Sequence, residues 1–122
     1  MESRLLLKRE ELLGEGILCL PDADLIAWVD ILRKKLILSD SNGDNIRVLK
    51  QPSEIGAVLP SATDDLILVL RNSVISFNPL SFSNREIWSA AEVEPRTNRF
   101  NDATVDHLGN LWVGSMDFDA KS

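Results

Sequence analysis

Tyrosine is absent from these 122 residues, and cysteine and histidine occur once each, as Cys19 and His107. One cysteine excludes an internal disulfide framework. Within the apolar run 17–20, Cys19 is expected to be a small buried hydrophobe. A single Cys and a single His, at dissimilar places in the chain, argue against a Cys–His nucleophile. No apolar run approaches the ~20 residues that span a bilayer. Leu5, Leu6 and Leu7 are too few for a signal-peptide core. A cytoplasmic protein with no membrane partner is the resulting expectation. Positive charge is also in deficit, the net charge being −6. Basic residues cluster only at Arg33-Lys34-Lys35, which reads as a solvated hairpin turn. With no basic stripe carrying interleaved aromatics, nucleic acid is not an expected partner.

What the chain does have is a frame used three times, a polar turn running into an apolar strand. Pro21-Asp22-Ala23-Asp24 leads into 25–30, Ala62-Thr63-Asp64-Asp65 into 66–70, and His107-Leu108-Gly109-Asn110 into 111–114. The opening residues Leu25, Leu66 and Leu111 stand 41 and 45 residues apart, the period of one four-stranded propeller blade, roughly 40–50 residues. Each repeat has an upstream strand, predicted at 16–20, 55–60 and 100–106. Downstream strands are predicted at 35–40 and 73–79, with outer strands at 45–49 and 84–88. Ser41-Asn42-Gly43-Asp44 is a strong hairpin turn before the first outer strand.

The expected fold is all-β, about two and a half to three blades of four-stranded antiparallel sheet. Blade one, with a possible closing strand, falls in 1–53, blade two in 54–95, and the start of blade three in 96–122. An antiparallel β-sandwich fits the same strand pattern. The charged, leucine-rich segment Glu2 to Leu13 fits either a helix or the outer strand that closes a ring. Three blades do not close a ring, so the open sheet edges invite self-association.

Chemistry concentrates in Asn98-Arg99-Phe100-Asn101-Asp102, where a cation, an amide and a carboxylate surround one aromatic at a strand opening. Alternation places Arg99 and Asn101 on one face and Phe100 on the other. A guanidinium forks onto carbonyl or hydroxyl oxygens, and an amide offers both donor and acceptor. The same residues also fit a surface Arg99–Asp102 pair with Asn101 opening a turn. Glu15, between Gly14 and Gly16, fits a cation ligand where the glycines permit close backbone approach, or a solvated loop carboxylate. Asp102 and Asp106 read as structural, bonding backbone at blade corners. Trp28, Trp88 and Trp112 read as packing between blades.

Four segments together resemble the senescence-marker-protein/gluconolactonase/regucalcin family. Leu13-Gly14-Glu15-Gly16 is similar to its G-E-G motif, and Trp28-Val29-Asp30-Ile31 to its W-V-D-I strand. Ile55-Gly56-Ala57 with 65–70 matches its second-blade pattern. Asn98-Arg99-Phe100-Asn101-Asp102, then Val105-Asp106, Gly109 and Leu111-Trp112-Val113-Gly114-Ser115-Met116-Asp117, resembles the N-R-F-N-D-G … V-D … G … W-V-G-T-M-D block. The resemblance implies a six-bladed β-propeller that hydrolyses sugar lactones or related cyclic esters with water activated by one divalent metal, calcium, zinc or magnesium. It implies Glu15 as metal ligand and Arg99, Asn101 and Asp119 as substrate-binding residues, Asp119 being the nearest match to a family acidic residue. The other metal ligands, and the general base among them, are expected beyond Ser122. The metal site is therefore incomplete here, and no catalytic residue is expected within this chain. Where the family usually has Pro, then Trp after G-E-G, this chain has Ile17 and Cys19; Ala103 replaces the glycine after N-D.

Overall fold

Polar corners set the strand ends. At Asp40 and again at Asp106, one carboxylate oxygen accepts from the backbone N–H two and four residues on, at 2.9 Å in each case. In both corners the glycine N–H returns to the aspartate carbonyl at 3.0 Å. The glycines, Gly43 and Gly109, have φ of +79° and +84°, where an L side chain is strained. Such Asx corners end one strand and aim the next.

The computed structural model describes residues 3, 5–11, 14–89 and 98–117. Within them the chain forms three antiparallel sheets. Sheet one is a meander of β1 (Gly14–Leu20), β2 (Leu25–Asp30), β3 (Lys35–Ser39) and β4 (Arg47–Lys50). Sheet two repeats it with β5 (Ile55–Pro60), β6 (Leu66–Leu70), β7 (Ser73–Phe77) and β8 (Asn84–Ser89). Sheet three pairs β9 (Asn98–Val105) with β10 (Leu111–Asp117). The ten strands are the ten expected, with no end shifted by more than three residues. A short 3-10 turn at Pro21–Ala23 joins β1 to β2.

The sheets fan out from their first strands, β5 lying beside β1 on one side and β9 on the other. This is the arrangement of successive blades, which splay from a line of first strands and pack face against face. Between sheets one and two, Leu25, Ala27, Val29, Leu36 and Leu38 meet Ile55, Leu66, Leu68 and Phe77 in one buried cluster. Period-2 alternation explains the selection: positions 25, 27 and 29 point into this seam, while Ile26 and Trp28 point away from it. Each fully buried aliphatic side chain contributes about 1.5–3 kcal/mol. Between sheets two and three, a smaller cluster joins Ala57, Val69, Val74 and Phe100.

Two expectations fail. Residues 5–11 form neither helix nor strand; 2, 4, 12 and 13 lie outside the described residues. Tertiary contacts hold the segment across sheet one. The Leu6 carbonyl lies 3.0 Å from where a Cβ on Gly43 would stand, and the Arg33 guanidinium donates to the Glu10 carbonyl at 3.2 Å. Cys19 is exposed, not buried. It pairs with Ile26 and shares that residue's face, turned away from the seam, whereas Leu18 and Leu20 pack into it.

Candidate functional site at the opening of the first strands

Each first strand carries a bulge near its start. In β1 the register slips between Glu15 and Leu18, so Gly16 and Ile17 together oppose Trp28. In β5, Ile55 pairs with Leu70 and Ala57 with Val69, which leaves Gly56 as the extra residue. In β9, Phe100 pairs with Ser115 and Asp102 with Gly114, which leaves Asn101 extra. Gly16, Gly56 and Asn101 thus hold one structural position in three sheets, 40 and 45 residues apart. A bulge bends its strand and re-aims the side chain it carries. Only in sheet three does that side chain exist.

The bulge corrects one expectation. Strict alternation through Arg99, Phe100 and Asn101 breaks at Asn101, because a bulge residue has no cross-strand partner to fix its face. Arg99 is 8% exposed and Phe100 5%, while Asn101 is half-buried. Phe100 faces sheet two, its ring stacked on Trp88 at 6.0 Å between centroids. The Asn101 Oδ1 lies over Gly114, 3.2 Å from where a Cβ there would stand.

Two contacts fix β9 against sheet two. The Phe100 N–H donates to the Arg71 carbonyl at 2.8 Å. The backbone of Phe100 and Asn101 lies so close to Gly56 that a Cβ there would stand 2.5 Å from the Phe100 carbonyl oxygen. Nothing larger than glycine fits without moving a strand.

Glu15 sits at the corresponding end of β1, exposed and immediately before its bulge. Gly16 there has φ +64°. Glu15 lines a cavity of about 440 Å³ with Gly14, Gly16, Ile17, Ile26, Trp28, Ser39 and part of the N-terminal segment. Arg9, in the same wall, is paired with Glu11 at 2.7 Å. The structure therefore places Arg99 and Asn101 together on β9, and Glu15 two strands away at the same rim. Asp119 lies outside the described residues. Among the described residues no three His, Cys, Asp or Glu side chains converge as a metal-binding group.

Asp106 is structural, as expected. Its carboxylate accepts from the Trp112 indole N–H at 2.9 Å, from the Leu108 and Asn110 backbone N–H groups, and from the Asn110 side-chain amide. The Trp112 bond above all, then the Asn110 backbone bond, lowers its pKa to about 2. Asp102 is exposed and accepts from the Ala103 backbone N–H at 2.8 Å, inside β9 and not at a corner. Of the tryptophans, Trp88 stacks on Phe100 of sheet three but is 52% exposed, Trp28 walls the Glu15 cavity, and Trp112 is 63% exposed, held by Asp106.

Residues 13–122 match the model of the SMP-30/Gluconolactonase/LRE-like region. The chain belongs to that family. Over 109 residues it is 28% identical to a Bacillus subtilis (strain 168) protein named "Putative sugar lactone lactonase YvrE", covering 89% of this chain and 37% of that one. A crystal structure of a calcium-binding protein, regucalcin, from Agrobacterium tumefaciens str. C58 superposes with a TM-score of 0.84 at 22% identity, over 99% of this chain and 41% of that chain. A luciferin-regenerating enzyme gives a TM-score of 0.74 at 25% identity, over 91% of this chain and 38% of that one. The three sheets of this family member are β-propeller blades: two of four strands each and, among the described residues, two strands of a third. The chain spans less than half the length of these relatives. No helix among the described residues is long and apolar enough to cross a membrane.

Proposed function

We propose that this chain supplies one wall of a metal-dependent sugar-lactonase site. Arg99 and Asn101 bind the substrate and Glu15 serves as one metal ligand. The observation that carries this reading is the bulge of β9. It puts an amide where the other two sheets have glycine, next to a nearly buried guanidinium, on a strand clamped at Gly56 and Arg71. A fixed donor–acceptor pair at a strand opening suits the ring oxygens and hydroxyls of a lactone. The putative lactonase relative and the family membership support the substrate class.

The residues present fit a divalent cation as part of a set. The Glu15 carboxylate is a hard oxygen donor of the kind calcium, magnesium and zinc accept, and it is exposed at the rim. One carboxylate does not complete a shell of about six oxygens, so further oxygen donors and a general base are needed beside Glu15 to complete the site. A bound cation supplies Lewis-acid polarisation of an ester carbonyl. The chain's own part is to hold the ring: Arg99 donates to an oxygen that gains negative charge, and Asn101 fixes a hydroxyl.

The test is an NMR titration of the 15N-labelled chain. With D-glucono-1,5-lactone the expected shifts cluster at Arg99 and Asn101; with calcium, zinc or magnesium they cluster at Glu15. Shifts confined to other surfaces overturn the assignment. A pH-stat assay of the same 122 residues is expected to show no lactone turnover. Robust turnover would put the general base inside this chain.

A further inference from the structure

Gly114 faces the bulge across the β9–β10 pair, one register step from Ser115. Among the described residues, chain neighbours aside, a Cβ built on it meets one heavy atom within 4 Å, the Asn101 Oδ1 at 3.2 Å. Its backbone is not in the left-handed region, where Gly16, Gly43 and Gly109 lie. Neither backbone conformation nor crowding by other described residues therefore calls for glycine at 114. Among the described residues, what an alanine there would meet is the Asn101 amide. In the same pair, Ala103 lies opposite Val113 and Thr104 opposite Trp112, so larger side chains are accommodated on both strands nearby.

We propose that Gly114 is a positioning residue for Asn101: the missing side chain opposite the bulge sets how closely the Asn101 amide settles onto β10, and so where it meets the substrate. This inference rests on the reading of Asn101 as substrate-binding. Gly56 fixes the backbone of the bulge from the side of sheet two, and Gly114 fixes the amide from the side of β10. A Cβ at 3.2 Å must push the amide by a few tenths of an ångström, because the contact is tighter than ordinary van der Waals distance. Precise positioning matters at such sites: a misplacement of about 1 Å at a reacting centre can cost about 100-fold in rate, and a smaller shift of a binding amide is expected to cost less.

The substitution Gly114→Ala separates positioning from structure because the two effects have opposite signs. Alanine in a strand interior is favoured over glycine, so the melting temperature is expected to hold or rise. The Asn101 side-chain amide cross-peak is expected to move without any ligand. The lactone concentration that half-saturates the shifts near Arg99 is expected to rise roughly 3- to 10-fold. In an Asn101→Ala chain the added methyl has nothing to push, so Gly114→Ala on that background is expected to change lactone affinity no further. An unmoved Asn101 cross-peak, unchanged affinity, or effects that multiply in the double variant would overturn the proposal. So would a fall in melting temperature that accounts for the loss. If Asn101→Ala binds lactone as the native chain does, or the native chain gives no response, the substrate reading itself fails and the positioning role with it. The ligand-free cross-peak tells these failures apart, since it reports the contact alone.

Discussion

The seam between sheets one and two is filled by side chains; the seam between sheets two and three adds to a smaller side-chain cluster a close approach of backbone to backbone. In the first, leucine, isoleucine and valine from both sheets interlock around Phe77. In the second, among the described residues, Phe100 packs with Ala57, Val69 and Val74 in a smaller cluster, and Gly56 brings β5 against the Phe100 carbonyl. A side-chain seam tolerates small adjustments, because rotamers and neighbours share the change. A backbone seam does not, since a strand has no shorter alternative to glycine. The substrate residues Arg99 and Asn101 ride on the second kind. Among the described residues, the larger buried cluster lies in the first seam and the closest backbone approach in the second.

Substitutions in the two seams should therefore fail differently. The largest expected loss is Leu68→Ala, which removes a fully buried side chain from the first seam and should cost about 2–5 kcal/mol in urea unfolding. Its lactone shifts should keep their native pattern wherever the chain remains folded. Gly56→Ala is expected to cost less, about 1–3 kcal/mol, yet to abolish the lactone shifts at Arg99 and Asn101. If Leu68→Ala disturbs those shifts as much as Gly56→Ala does, the division between the seams is wrong.

A smaller effect sharpens the comparison at the far end of sheet three. Asp106 has its pKa lowered to about 2 from an ordinary 3.8. A carboxyl depressed on folding adds stability above its unfolded pKa and loses it as pH falls through the folded one. Stability from this corner should be complete above about pH 4 and fade towards pH 2. Urea midpoints of Asp106→Asn should fall less over that window than those of the native chain. Equal slopes would mean the Trp112 bond does not hold in solution. The smallest expected effect is chemical: Cys19 is exposed on β1, so the folded chain should react with a thiol reagent as fast as the urea-unfolded one. Strong protection would return Cys19 to the interior.

Strand existence was legible because apolar runs between Asp, Asn and Gly corners are a local signal. The Asp106 corner was legible for the same reason, its partners lying within six residues. The family motifs pointed to Arg99 and Asn101, but the bulge beneath Asn101 did not show in the sequence. A bulge is a fact of register between two strands, and register emerges only when both are paired. The misplacement of Cys19 has a similar origin: an apolar run does not say which face turns towards a neighbouring sheet. Residues 5–11 misled because leucines flanked by charges suggest an amphipathic element, whereas contacts with Gly43 and Arg33 hold this segment. Gly114 was visible only as part of a motif; its relation to Asn101 is a through-space contact that spacing does not reveal.

The shared bulge bears on how a ring of copies departs from symmetry. Gly16, Gly56 and Asn101 occupy one site in three repeats, and two of the three leave it empty. Because the bulge residue pairs with nothing, a side chain can enter there in one repeat without disturbing the pairing that all repeats share. Such a position is where duplicated blades can diverge at least cost to the common scaffold, each copy free to acquire its own polar group facing the same rim.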